Sequence, residues 1–211
     1  MDDDERVVRD AWARVAGDDT RFTDVVDDLL VRHREPHRRY HTVAHVAWVV
    51  RVAQELLDAA ATRDALDEPV VFAAALFHDA IYDTRSADNE GRSADLAADA
   101  TAALGWAAER TELVTRLVLA TASHEPGDRH EEVLLDADLS VLGTDPATYA
   151  SYVTGVRAEY GHVDDDAWRS GRAEVLRRFL DRPHIYATDA MRSREARARA
   201  NLTDELIALQ L

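Results

Sequence analysis

The chain has no cysteine. That excludes disulfides, thiolate metal sites and cysteine nucleophiles together, and leaves histidine, aspartate and glutamate as the metal-competent side chains. Lysine is also missing, so every fixed positive charge is a guanidinium and any side-chain contact to a phosphate would be a planar fork. No apolar run approaches the roughly 18 residues needed to cross a bilayer. Sustained period-two alternation is absent as well, which leaves strands without a signal. Positive charge is in short supply: Asp and Glu number 41 against 25 basic residues, a formal net charge of −16. A long nucleic acid, bound mainly through neutralised phosphates, is a poor partner for such a chain. A small anionic molecule remains possible where arginines or a metal reverse the field locally. The acidic start, Met1 to Glu5, is unlike a secretory or transit leader, and a cytoplasmic protein without a membrane partner is expected.

What is present is helical periodicity in a length suited to one domain. Val7, Val8, Ala11, Trp12 and Val15 mark a helix from Asp2 to Ala16, stopped at Gly17. A second is expected from about Thr20 to Arg34. After the break at Pro36, Thr42 is placed to cap a third helix that runs to about Ala61. Pro69 opens a central apolar helix carrying Phe72 to Asp83. Further helices are expected from Asn89 to near Gly105, Ala107 to Ser123, Asp145 to Tyr160, Asp164 to Leu180, and Asp189 to the end. The last third, rich in Arg, Ala and Glu, reads as solvated helices. The fold class is all-α, a single-domain helical bundle.

Chemistry is signalled where polar groups interrupt apolar segments. His78 and Asp79 end the central apolar run, and desolvating an imidazole beside a carboxylate costs several kcal/mol unless each is paired or bound. Asp136 and Asp138 interrupt Val133 to Gly143, and His45 lies in the first turn of the third helix. His45, His78, Asp79 and Asp138 together offer the nitrogen and oxygen donors that suit one or two divalent ions of Mn, Fe, Co, Ni, Zn or Mg. His41, one helical turn before His45, competes for the same role, and Asp136 is a candidate acceptor for a ligand histidine.

The segments EPHRRYHTVAHV (35–46), ALFHDAIYDTRSADNEGRSA (75–94) and LLDADLSVLG (134–143) resemble those of the HD superfamily of metal-dependent phosphohydrolases, in the branch of predicted bacterial HD phosphohydrolases. The resemblance spans about residues 35–143, with flanking helices over 1–34 and 144–211. It implies an HD-type bundle with a central metal held by His45, His78, Asp79 and Asp138, Asp79 being able to bridge to a second ion. The implied activity is hydrolysis of a phosphoric ester or pyrophosphate bond in a small, nucleotide-like molecule by a metal-activated water. Many HD enzymes carry a glutamate where this chain has Tyr82; Asp83, one residue later, and His124 are the candidates for proton transfer. Arg38, His41, Tyr82, Asn89 and Glu90 are the candidate substrate contacts, with Arg39 as readily a solvated loop residue. Two rivals keep the same scaffold. One is a non-catalytic sensor of a metal or nucleotide, and the other a di-iron oxygenase that recruits His41 and His124 as extra ligands.

Overall fold

The computed structural model describes residues 2–17, 22–60 and 65–209, and among these every regular element is a helix. In order they are α1 (Asp3–Ala16), α2 (Thr23–Arg32), α3 (Val43–Ala59), α4 (Glu68–Phe77), α5 (Asn89–Ala103), α6 (Ala108–Ala120), α7 (Arg129–Asp138) with a 3-10 turn at Leu139–Gly143, α8 (Pro146–Glu159), α9 (Asp165–Leu180), α10 (Asp189–Arg192) and α11 (Glu195–Ala208). The all-α expectation is met, and no helix among the described residues is long and apolar enough to cross a membrane.

Local chemistry sets most boundaries. The carboxylates of Asp2, Asp67, Asp128, Asp145 and Asp164 accept amide hydrogens in the first turns of α1, α4, α7, α8 and α9, satisfying donors that a helix start leaves free. Gly17 ends α1 with φ +66°, a conformation that favours glycine. Thr42 sits at the cap of α3 without making a side-chain bond. The expected start of α2 at Thr20 and end of α3 at Ala61 lie outside the described residues.

α4 is buried from Val70 to Phe77 and packs against α1, α3, α5, α6 and α7. The helix expected to reach Asp83 stops at Phe77. A continued helix would use the carbonyls of Asp79 and Ala80 to bind later amides. Here Arg38 takes them, with Nη1 donating to Asp79 O at 2.8 Å and Nη2 to Ala80 O at 3.1 Å. The Asp83 amide, which would have returned to Asp79, donates to Asn89 Oδ1 at 3.0 Å. The chain therefore turns at His78 and Asp79.

The last third departs from the solvated helices expected of it. α8 and the 3-10 turn pack together, α11 covers that turn, and α9 lies on α11. Tyr149, Val156, Glu159, Arg172, Ala198 and Leu202 are buried there. The single helix expected from Asp189 onward divides into α10 and α11 around Ser193 and Arg194.

Arg172 on α9 donates from Nε to Glu205 Oε1 on α11 at 2.7 Å, and the same carboxylate accepts the Tyr149 hydroxyl of α8. Both side chains of the ion pair are 8% exposed, so removing one partner strands a charge. Arg172→Ala is expected to destabilise the protein by about 3–5 kcal/mol, read from denaturant unfolding; a loss under 1 kcal/mol contradicts a buried tie among α8, α9 and α11.

Candidate metal centre

Three segments bring their polar interruptions to one point. α3 offers His45 from its first turn, the turn after α4 offers His78 and Asp79, and α7 offers Asp138 from its last residue. The Nε2 atoms of His45 and His78 lie 3.2 Å apart. Asp79 Oδ2 is 3.4 Å from His45 Nε2 and 3.1 Å from His78 Nε2. Asp138 Oδ1 is 3.4 and 3.7 Å from the same two nitrogens. Donors around one ion with bonds of about 2.1 Å stand about 3 Å apart when adjacent, and the distances among His45, His78 and Asp79 are of that size, with Asp138 beside the two histidines. His45, His78 and Asp79 alone already form a group able to hold one.

The surroundings fit that use for His78 more completely than for His45. His78 Nδ1 lies 2.9 Å from Ala75 O, which fixes the proton on Nδ1 and leaves a lone pair on Nε2 facing the cluster. His45 Nδ1 is buried and has no hydrogen-bond partner among the described residues, so on that side only packing, including the Tyr40 ring at 4.8 Å between centroids, holds the ring.

Electrostatics favour positive charge at the same place. Burial opposes charge on all four groups, but their mutual contacts win. Burial lowers the imidazoles, yet Asp138 and Asp79 raise His45, and Asp79 raises His78 well above its ordinary value. Burial raises the carboxyls, yet His78 holds Asp79, and His124 holds Asp138, well below the usual range. Two ionised carboxylates in this setting call for about two positive charges, which two imidazolium protons or one divalent ion can supply.

His124, placed by sequence at a helix end, is at the cluster: its Nε2 is 2.9 Å from Asp138 Oδ2. Its backbone is left-handed, with φ +53°, and Arg182 secures that conformation by donating to His124 O at 2.6 Å and Ser123 O at 2.7 Å. Phe179 packs its ring against His124 at 5.9 Å and lies under the Arg182 guanidinium. His41 is the other flanking histidine, with Nε2 3.9 Å from Asp79 Oδ2 and Nδ1 2.7 Å from Glu159 Oε2. Tyr82 lies against His41 at 4.2 Å between ring centroids and donates its hydroxyl to Glu159 at 3.0 Å.

Other expected site residues are placed differently. The Arg38 side chain is fully buried and gives its hydrogens to Glu35, His41 O, Asp79 O and Ala80 O, so it shapes the backbone around the cluster and is not free to fork a phosphate. Asp83 is exposed, and its Oδ1 accepts the Arg85 amide at 2.9 Å. Asn89 exchanges hydrogen bonds with the Asp83 backbone, and so ties the loop rather than a ligand. Glu90 lies in the first turn of α5 near Tyr160, whose hydroxyl is raised by burial first, then by the Glu159 charge, with Glu90 adding to it. Asp136 turns away from the histidines and accepts from the Ala187 and Thr188 amides and the Thr188 hydroxyl, which corrects its expected role as a histidine acceptor. Arg39 is the exposed cation of this loop; it borders a cavity of about 280 Å³ lined also by Tyr40, His45, Trp48, Ser151 and Tyr152.

Sequence reasoning missed Glu159, Arg182 and Phe179, each of which lies in or just after an Arg- and Glu-rich amphipathic helix and has no local signal. Comparison with protein families, curated proteins and solved structures finds no match.

Behind the cluster, His33 Nδ1 lies 3.3 Å from Arg38 Nη1. Burial first, and then the Arg38 charge, push the His33 imidazole down to about 3. Its folded value is depressed, so the neutral ring stabilises the fold above the unfolded value near 6.5, and that contribution is lost as pH falls from 6.5 toward 3. Across this window wild type should lose stability with an extra slope approaching 1.4 kcal/mol per pH unit, the effect of one proton. Denaturant unfolding at several pH values should show that slope missing in His33→Gln; equal slopes would mean that His33 takes up its proton in the folded state as well.

Proposed function

We propose that the protein is a metal-dependent phosphohydrolase of the HD type, acting in the cytoplasm on a phosphoric ester or pyrophosphate bond of a small, nucleotide-like molecule. The observation that carries this reading is the meeting of His45, His78, Asp79 and Asp138, from three separate helices and turns, in an otherwise apolar core. Their order along the chain is the order of the motifs that resemble the HD superfamily. Nitrogen and carboxylate donors in this mixture suit Mn²⁺, Fe²⁺, Co²⁺, Ni²⁺ or Zn²⁺, with Mg²⁺ served by the carboxylates.

A divalent ion held there supplies Lewis acidity toward a phosphoryl oxygen and makes water a stronger acid. The protein's own part is positioning. Arg38 fixes the carbonyls of Asp79 and Ala80 and so aims the Asp79 carboxylate. His124 orients Asp138 through its Nε2 and is the histidine best placed beside the cluster to serve in proton transfer. Arg39, on an overall acidic molecule, provides a positive charge beside the site. The cavity next to His45, lined by Tyr40, Trp48 and Tyr152, is suited to the flat apolar part of a substrate.

A second reading is favoured by one observation: His124 stands against Asp138 and His41 beside Asp79, where a two-metal oxygenase would want extra ligands. Elemental analysis of the protein as purified, followed by phosphate release from a nucleotide panel with added Mn²⁺, Co²⁺, Ni²⁺ or Mg²⁺, separates the two. The hydrolase reading expects one or two equivalents of metal and release of phosphate or pyrophosphate. Asp79→Ala is expected to lose the metal and at least about 10²-fold of the rate. Iron with oxygen consumption and no hydrolysis would replace that reading with the oxygenase. Ser151→Trp, which fills the cavity from α8 and replaces none of the four donors, is expected to retain metal and raise KM about tenfold; an unchanged KM would place the substrate elsewhere.

A further inference from the structure

Glu159, the last residue of α8, is buried at 8% exposure, and its carboxylate faces the loop before α3 and Tyr82 after α4. Its Oε1 accepts the amides of Arg39, Tyr40 and His41 at 2.7, 2.8 and 3.0 Å. Its Oε2 takes the Tyr82 hydroxyl at 3.0 Å and faces His41 Nδ1 at 2.7 Å. Gly155, one helical turn earlier, is what admits α8 to this position: a Cβ there would stand 3.1 Å from Tyr40 Cβ. A carboxylate anchored by three amides cannot rotate to offer anything but an acceptor to His41. The ring must therefore carry its proton on Nδ1. Its other nitrogen, Nε2, is 3.9 Å from Asp79 Oδ2, too far for a direct hydrogen bond. When the ring is neutral, Nε2 and Asp79 Oδ2 are two acceptors at a separation where each can receive one hydrogen of a single water about 2.8 Å from both, leaving the oxygen lone pairs turned outward.

We propose that Glu159 is a positioning residue: it holds His41 as the Nδ1–H tautomer, so that His41 Nε2 and Asp79 Oδ2 together orient one water with its lone pair toward the substrate phosphorus. The tautomer stands on geometry alone, whereas its consequence for turnover rests on the hydrolase reading. Asp83, exposed and tied into its own turn, is thereby relieved of the water-positioning task.

The test is a ¹⁵N–¹H long-range correlation of histidine-labelled protein at about pH 8, above the ordinary imidazole range, with His41 assigned by its loss in His41→Asn. Wild type is expected to show His41 protonated on Nδ1 only. In Glu159→Gln the carboxamide oxygen is retained by the three amides, so its NH₂ faces His41 Nδ1 and donates to it. The proton must then move to Nε2, which spoils the acceptor pair, and kcat is expected to fall about 10²-fold with KM changed less than threefold. Tyr82→Phe keeps the His41 to Glu159 bond and should keep the tautomer. A wild-type proton on Nε2, or an unchanged tautomer in Glu159→Gln, overturns the proposal, and the wild-type spectrum decides even if the variant does not fold. A tautomer switch without loss of kcat overturns the water-orienting role. Absence of phosphate release by wild type overturns the hydrolase reading instead and leaves the tautomer result intact.

Discussion

Two imidazole nitrogens 3.2 Å apart in a buried place cannot both point protons at each other, and two carboxylates beside them cannot remain ionised there without positive charge. That constraint orders the surrounding structure. The backbone carbonyl of Ala75 decides which His78 nitrogen carries the proton, and Arg38 ends α4 so that His78 and Asp79 leave the helix together. His124 accepts a left-handed backbone, at a cost on the order of 1 kcal/mol or more, to meet Asp138, and Arg182 with Phe179 holds it there. Each support is a fixed dipole, charge or ring aimed at a donor. Together they hold these side chains in place without a cation, so any ion that His45, His78 and Asp79 took up would bind at a low reorganisation cost.

The apolar setting is what made the donors legible. His45, His78, Asp79 and Asp138 each break a run of buried residues, and such a break is expensive enough to need a reason. Helix periods were equally readable, because amphipathic spacing is local; the caps were not, since Thr42, expected to cap α3, makes no side-chain bond while Asp2, Asp67, Asp128 and Asp145 do. The end of α4 was not, since nothing in the run from Phe72 to Asp83 says that an arginine 41 residues earlier in the chain will claim the carbonyls of the turn. Arg38 itself shows the limit of reading a charge as exposed: the same guanidinium that would suit a phosphate suits backbone oxygens just as well.

Glu159 and Arg182 were illegible for a different reason. In helices dense with arginine and glutamate, a residue that acts on the site looks the same as one that merely faces water. Only the approach of α8 to the loop at Arg39 to His41, permitted by Gly155, distinguishes Glu159 from the acidic residues around it. The C-terminal third therefore gives the cluster much of its second layer of contacts, while the motifs lie before it.

Modularity is the consequence of that division. The stretch bearing every motif ends near Gly143, and a fragment cut there would retain all four donors on paper while losing the carboxylate against His41 and the guanidinium against His124. Transplanting the three motif segments into another helical scaffold would carry the motif's letters without the grip that aims them. In this protein the smallest autonomous unit of chemistry is larger than the smallest recognisable one, and it extends at least as far as Arg182.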